Sequence, residues 1–374
     1  MRTRATLPAT YTRSSENRTA GGGGRVACCA GGLLRVTHTR PPPLAVLFLT
    51  LAFASCAPRA PRAYVTNERD GTVTVIDTAT DRVVSTFKVG GRLRGVRVSR
   101  DGELLYVASS TPSGKNYDPR DNHAAVLDAE TGETVAAYEV GTDPEQIDVS
   151  PDGAFVYASN EDAGTASVVS TETGKTVATL VVGTEPEGCR ISPDGRWVYI
   201  TSETSNVVSV IDTGSNKVAA GFLVDSRPRE VAFSRDGSRA YVTTEIGRTL
   251  AVVDTATHTV LRTVPLPNGA NGSKPMGVVV SLDGSRVYVS TGRGGTVLVV
   301  DAKTFDIVAE IQVGQRPWGL AITPDGKKVY AACGGADPNL PGANEVTVID
   351  TETNTAVARV SAGDGPWGVV VGRR

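Results

Sequence analysis

The sequence predicts an all-β fold: a seven-bladed β-propeller of four-stranded antiparallel blades, closed by pairing of the N-terminal strand with the C-terminal strand. Three observations predict it. First, a strand ending in Asp-Thr or a relative recurs at Asp77, Asp128, Ser170, Asp212, Asp254, Asp301 and Asp350. The intervals are 51, 42, 42, 42, 47 and 49 residues, so the basic unit is 42, a period that marks a repeat architecture. Second, a turn lies between successive landmarks: SRDG at 99, SPDG at 150 and 192, SRDG at 234, SLDG at 281 and TPDG at 323. Third, PWGVVV at 366–371 is a first strand with no second, and RAYVTN at 62–67 is a second strand with no first. Joined, they complete the seventh unit.

Each element of the unit follows from its residues. Strand A is GVAVS-like and strand B YVTN-like; both alternate apolar and polar positions and are rich in β-branched residues, which is strand periodicity. Between them, Pro presets the turn, Asp bonds back to the backbone and Gly supplies positive φ. Strand C is VTVID-like, and its terminal Asp is placed to bond the backbone of the C–D turn, with Ser170 doing so more weakly. Strand D, as in VVATLVVG, ends the blade. Radial repetition of such units protects the sheet edges.

The first 56 residues read differently. Residues 44–54, LAVLFLTLAFA, form an apolar run behind Arg35 and Arg40. It is short for a bilayer span and fits a signal-peptide core. It ends in Phe53-Ala54-Ser55-Cys56, which resembles a bacterial lipoprotein cleavage box with Cys56 as the lipidated residue; Phe53 stands where Leu is usual. The expectations are export to the periplasm or cell surface, lipid-anchored through Cys56, with ordinary secretion or an uncleaved anchor as alternatives. The Gly/Arg-rich stretch before the run is long for a basic leader region, and translation is expected to start nearer Val36 than Met1. The domain reading is a leader over 1–56, a linker over 57–61 and one propeller over 62–374.

Charge excludes one class of partner. Residues 1–56 hold seven Arg and one acid, which leaves 31 basic and 39 acidic residues in the remainder, a net of −8. Nucleic-acid binding needs a basic footprint. Cys28, Cys29, Cys56, Cys189 and Cys333 show no metal-site or redox spacing, and Cys189 and Cys333 read as small buried hydrophobes. The three His (His38, His123 and His258) form no cluster in the sequence, no calcium-loop pattern is present, and no Gly-x-Ser-x-Gly elbow occurs. No cofactor and no metal are expected.

AYVTN at 63–67 is the motif that names the YVTN β-propeller repeat proteins, and the chain resembles them over roughly 62–371. DSRPREVAFSRDG (225–237), EIGRTLAVVDTATHTV (245–260) and VGQRPWGLAITPDGKKVY (313–330) resemble the propeller proteins associated with pyrroloquinoline-quinone-dependent catabolism. That resemblance implies an exported propeller, linked to periplasmic quinoprotein alcohol oxidation as an accessory factor.

One face carries the variation. The A–B turns are uniform, whereas the insertions at 111–122, 267–273 and 335–343 all fall in B–C or D–A loops. Loops on a rigid scaffold tend to carry function. A Pro-x-Gly segment leads into each innermost strand, so x is expected to line the mouth of the central channel. Around the ring x is Arg94, Glu145, Glu187, Arg229, Met276, Trp318 and Trp367, and the residue before the Pro or its equivalent is Arg92, Asp143, Glu185, Arg227, Lys274, Arg316 and Gly365. Charged groups thus occupy one arc, and Met with two Trp the other. Glu68, Glu161, Glu203 and Glu245 begin nearby B–C loops and are expected as ordinary solvated glutamates.

The expected function is a non-enzymatic binding module presenting its loop face to a protein partner or a small polar ligand. One alternative is a propeller-type lactonase in which Glu145 or Glu187 acts as base beside Arg94 or Arg229. Another is a structural surface protein. A further expectation is that the arginines and glutamates pair with one another while the Trp rings plug the channel.

Overall fold

The computed structural model describes residues 60–111, 121–267, 272–335 and 341–372. They form seven sheets of four antiparallel strands in a ring, a seven-bladed propeller. Blade 1 is the composite one. Its strands A to D are Pro366–Gly372, Arg62–Asn67, Thr72–Asp77 and Arg82–Lys88. Arg62 pairs with Gly372 and Asn67 with Pro366, so the two chain ends are zipped together as the repeat count requires. The remaining blades follow in chain order, their innermost strands beginning at Arg92, Pro144, Pro186, Pro228, Val278 and Pro317. The leader, Cys56 and most of the three inserted loops lie outside the described residues.

The strand-C aspartates do what their position suggests. Asp77 Oδ1 accepts from the amides of Ala79 and Thr80 at 3.0 and 2.9 Å. Ser170 manages one such bond, at 3.4 Å from Thr173 N. The strand-B tyrosine latches the next blade. Tyr64 donates to Ala129 O, Tyr157 to Asn216, and Tyr330 to Asp81, while the Tyr199 hydroxyl meets His258 Nδ1. Every receiving residue sits in the neighbour's C–D turn. Cys189 and Cys333 are buried hydrophobes, as read.

The deepest constraint lies one residue past x. In blades 1, 4, 6 and 7 that residue is Gly368, Gly188, Gly277 and Gly319. A Cβ there would lie 2.7, 2.4, 2.3 and 2.7 Å from the carbonyl oxygen of the next blade's x. A strand-B hydroxyl then ties both backbones. Thr201 accepts from Gly188 N at 2.8 Å and donates to Arg229 O at 2.7 Å. Ser290 does the same between Gly277 N and Trp318 O, and Thr66 between Gly368 N and Arg94 O. Ser159 and Thr243 hold Glu187 O and Met276 O. The backbone of x is therefore pinned at five of the seven blade junctions, Ala108 and Ala332 standing in place of the hydroxyl at the other two, while its side chain is left free to vary.

Two predictions follow from these contacts. Thr201→Val strands a buried amide and a buried carbonyl, so urea unfolding will show a loss of about 1–3 kcal/mol, whereas Thr201→Ser will restore nearly all of it. The second concerns acid. Hydrogen bonds from Ser281 and from the amide and hydroxyl of Ser285 hold Asp283 down to about 2, and the other A–B turn aspartates are lowered the same way. Their folded values lie below the unfolded ones, so the stabilisation is present above pH ~4 and drains as pH falls toward ~2. The urea midpoint will fall across that window, and Asp283→Asn will flatten the slope.

Candidate functional site

The mouth is built from the residues that the scaffold leaves free. Asp143, Glu185, Arg227 and Arg316 precede the innermost strands at φ of 49, 55, 65 and 46°, where blade 1 has Gly365 at 74°. Non-glycine residues pay for left-handed backbone, and such strain gathers at functional sites. Asp143, Arg227 and Arg316 all reach the mouth contacts described below.

Two ion clusters fill one arc. In the first, Arg92 donates Nε to Glu68 at 2.9 Å and Nη1 to both oxygens of Asp143 at 2.8 and 3.0 Å. Arg94 pairs with Glu145 and, at 3.0 Å, with Glu68. In the second, Arg229 pairs with Glu187 at 3.0 Å and with Glu203, while Arg227 reaches Glu203 and Glu245 at 2.5 and 3.1 Å. Lys274 Nζ donates to Glu245 at 2.7 Å. Glu203 and Glu245 are thus buried acids that neutralise guanidinium groups, a correction to the solvated loop glutamates expected from sequence. They are buried because the strand-B end turns inward at the mouth, where arginines wait. Glu185 stays at the rim, bonded to the Thr204 hydroxyl, outside both clusters.

Glu145 and Glu187 meet where the clusters join. Glu145 is fully buried. Burial and the Glu187 carboxylate push it well above the usual carboxylate range, against the pull of Arg92. Burial also raises Glu187, with Arg229 and Arg227 pulling back. Glu245 goes the other way: burial opposes ionisation, but the Lys274 hydrogen bond and both arginines outweigh it and hold the value low. Oxygens of Asp143, Glu145 and Glu161 lie within 4.8 Å of one another, with the Arg92 guanidinium against the first two.

Trp318 and Trp367 close the other arc, stacked at 6.1 Å between centroids and 24° between planes. Arg94 lies 5.1 Å over Trp367; Arg229 and Arg316 lie 5.6 and 5.3 Å from Trp318. Among the described residues Arg316 forms no ion pair; burial and the charge of Arg293 lower its proton affinity. Beneath the rings is a cavity of about 30 Å³ lined by Glu187, Arg229, Met276, Trp318 and Trp367. It holds roughly one or two waters. The buried Trp367 Nε1–H has no acceptor among the described residues. Apart from Glu185, the mouth residues expected from sequence are brought together here.

Sequence reasoning missed the layer below. Gln146 and Glu230 stand where other blades have glycine, and Gln146 Nε2 donates to Glu230 at 2.7 Å across the channel. The signal was present: in PEQIDV and PREVAF a polar side chain replaces the glycine after x.

The site can therefore hold a water beside a raised, buried carboxylate, with guanidinium groups and an indole donor around it. The chain matches the family described as Lactonase, 7-bladed beta-propeller, over residues 51–182 and 224–338. Among solved structures it is similar to a candidate 6-phosphogluconolactonase from Bacteroides fragilis, at 18% identity and a TM-score of 0.69, covering 84% of this chain and 98% of that one. Kuenenia stuttgartiensis hydrazine synthase matches at 24% identity and a TM-score of 0.64, covering 74% and 89%. A functionally unknown protein from Desulfotomaculum acetoxidans matches at 20% and 0.69, covering 84% and 99%. At such identities the likeness shows the fold. No curated protein matches the chain. The family match spans more than half of the residues, and on that ground the chain belongs to the seven-bladed β-propeller lactonase family.

Proposed function

We propose that the chain hydrolyses a lactone at the loop-face mouth. The observation that supports this most is the buried Glu187–Arg229 pair beside a water-sized cavity. In the proposed reaction Glu187 takes a proton from water as the water oxygen bonds to the lactone carbonyl carbon. Arg229 and the Trp367 indole N–H face the developing oxyanion. The ring C–O bond then breaks, and the departing oxygen takes the proton back from Glu187, which leaves the open hydroxy acid. A carboxylate raised toward neutrality is suited to this work. The guanidinium groups provide charge stabilisation where water is scarce. Arg316, which forms no ion pair among the described residues, takes a polar or anionic substituent of the ring in this reading.

A panel of lactones assayed by acid release tests the reading. Glu187→Gln will lower kcat/KM by about 10²–10⁴-fold in a chain that folds normally. The base works deprotonated, and its folded value is raised, so the native rate will climb with pH through a midpoint above the ordinary glutamate value and fall away below it. If the native chain opens no lactone, or the Gln variant keeps its rate, the proposal fails.

One observation favours a second reading. The ion pairs saturate most of the mouth charges, and the cavity is too small for a whole ligand. This suits a non-catalytic module that presents its rim to a partner. The YVTN-type strands and the three segments resembling the quinone-associated subgroup support that reading, as an exported accessory of alcohol oxidation carried on a lipidated Cys56. Pull-down from periplasmic extract compares the native chain with Trp318→Ala and Trp367→Ala. Loss of a saturable partner from both variants supports the module; unchanged retention removes the mouth as its interface.

A further inference from the structure

On the turn face, at the junction of blades 5 and 6, lies a cleft of about 730 Å³, within the roughly 300–1,000 Å³ typical of small-molecule sites. The repeat shows why it is open. In blades 3, 4, 5 and 7 a threonine just past the strand-C landmark (Thr171, Thr213, Thr255, Thr351) donates to a glycine carbonyl of its own A–B turn. Blade 6 has Ala302 there. Four residues past the landmark, Asp81, Asn216 and His258 meet the strand-B tyrosine of the preceding blade. Blade 6 has Phe305, at φ 67° where the other blades have Asp, Gly, Asn or His. Bulky residues seldom adopt that backbone, and such outliers gather at functional sites. Tyr241 therefore lines the cleft, and among the described residues its hydroxyl forms no hydrogen bond.

The charges break the repeat at the same place. Where a cation opens strand B in blades 1 and 7, the next blade's C–D turn supplies its acid. Arg62 pairs with Glu130 at 3.2 Å and Lys328 with Asp81 at 2.7 Å. Arg239 opens strand B of blade 5. The next turn offers it Lys303 and Phe305, at the positions of Glu130 and Asp81. A second cation thus stands where the repeat elsewhere places an anion. Asp254, the cross-strand partner of Arg239, turns Oδ1 to the amides of Ala256 and Thr257. Three acids line the cleft, and each is held by its own turn. Asp236 accepts from Ser234 and Ser238, and Asp283 from Ser281 and Ser285. Asp301 accepts from the amides of Lys303 and Thr304 and pairs with Arg286. Arg235, Arg239 and Lys303 are exposed and form no ion pair among the described residues.

We propose that this cleft binds a phosphate monoester, its oxygens held between the Arg239 guanidinium and the Lys303 ammonium in place of the missing turn acid. A guanidinium fork matches phosphate through two parallel hydrogen bonds, and an ammonium adds a compact charge. Both groups end flexible stems in water, so they can close on one anion without moving the backbone. The Tyr241 hydroxyl is a further donor. A phosphate monoester brings close to two charges and three acceptor oxygens, whereas a carboxylate or a sulfate ester brings one charge to a cleft with three unpaired cations. Leu282 and Ala302 give the organic part of the ester an apolar margin.

Phenyl phosphate is the probe, titrated at low salt by calorimetry and by ¹H–¹⁵N shifts, with phenyl sulfate as the comparison of like shape and single charge. Above pH ~7 the native chain will bind phenyl phosphate at least about tenfold more tightly than phenyl sulfate, a tenfold change being 1.4 kcal/mol. The advantage will shrink as the phosphate takes its second proton near pH ~6. Shifts will concentrate on residues 235–241 and 301–304. Lys303→Glu restores the acid that blade 2 has at this place and will weaken phenyl phosphate by at least about tenfold. Arg239→Gln will weaken it as well, and both positions are exposed, where folding is least at risk. Glu187→Gln will bind it as the native chain does, which separates this site from the lactone chemistry. Sedimentation with vesicles containing phosphatidic acid, lost in Lys303→Glu, assigns the ester to a lipid head group; binding of phenyl phosphate without such sedimentation assigns it to a soluble ester. No saturable binding of either form, equal affinity for phenyl sulfate, or unchanged affinity in both Lys303→Glu and Arg239→Gln overturns the proposal.

Discussion

Seven inner strands can surround a narrow axis only if their backbones approach closely without leaving polar groups unmet. Here a strand-B hydroxyl meets that condition at five of the seven blade junctions. It takes the amide after x on its own blade and gives its proton to the carbonyl of x on the next. Where glycine follows x, the missing Cβ leaves room for the next blade's carbonyl; blades 3 and 5 make the same link with Gln146 and Glu230 in its place. The link is entirely main chain and hydroxyl, so it places no demand on the side chain of x. A uniform ring can then carry an arginine, a glutamate, a methionine or a tryptophan at equivalent positions. Chemistry at the mouth and integrity of the ring are separated within two adjacent residues.

That separation explains what was legible. The strand periodicity, the turn residues and the unpaired terminal strands give the blade, the count and the closure, because each reflects a local demand repeated seven times. The x positions were legible for the same reason: they are the variable residue in an otherwise constant segment. The fate of Glu203 and Glu245 was not. A glutamate at the end of strand B looks the same whether it enters water or a guanidinium cluster. The outcome depends on Arg227 and Arg229, whose approach is set by the curvature of the ring rather than by neighbours in sequence. The missing glycines at Gln146 and Glu230 were visible, but their pairing was not, since the two residues are 84 apart in sequence.

The mouth is more than a set of ion pairs, because the pairs are unequal. Glu245 collects Lys274 and two arginines and is held ionised. Glu145 is pressed toward its protonated form by burial and by Glu187. Carboxylates of the same mouth are therefore shifted in opposite directions, set by burial and by how many cations each shares. A network built only for stability gains little from such asymmetry, since buried pairs seldom repay their desolvation. The stacked indoles add the second ingredient by walling the small space beside Glu187.

The composite blade has a mechanical consequence. The strand that begins at Arg62 is threaded between two partners, Pro366–Gly372 on one side and Thr72–Asp77 on the other, instead of being laid on an outer edge. A pull on the chain ahead of Arg62 cannot peel that strand away one bond at a time from a free margin. It must slide against two ladders together, and the rupture force is shared between them. A ring closed in this way tolerates a loaded tether at its N-terminal end far better than one whose first strand was the outermost.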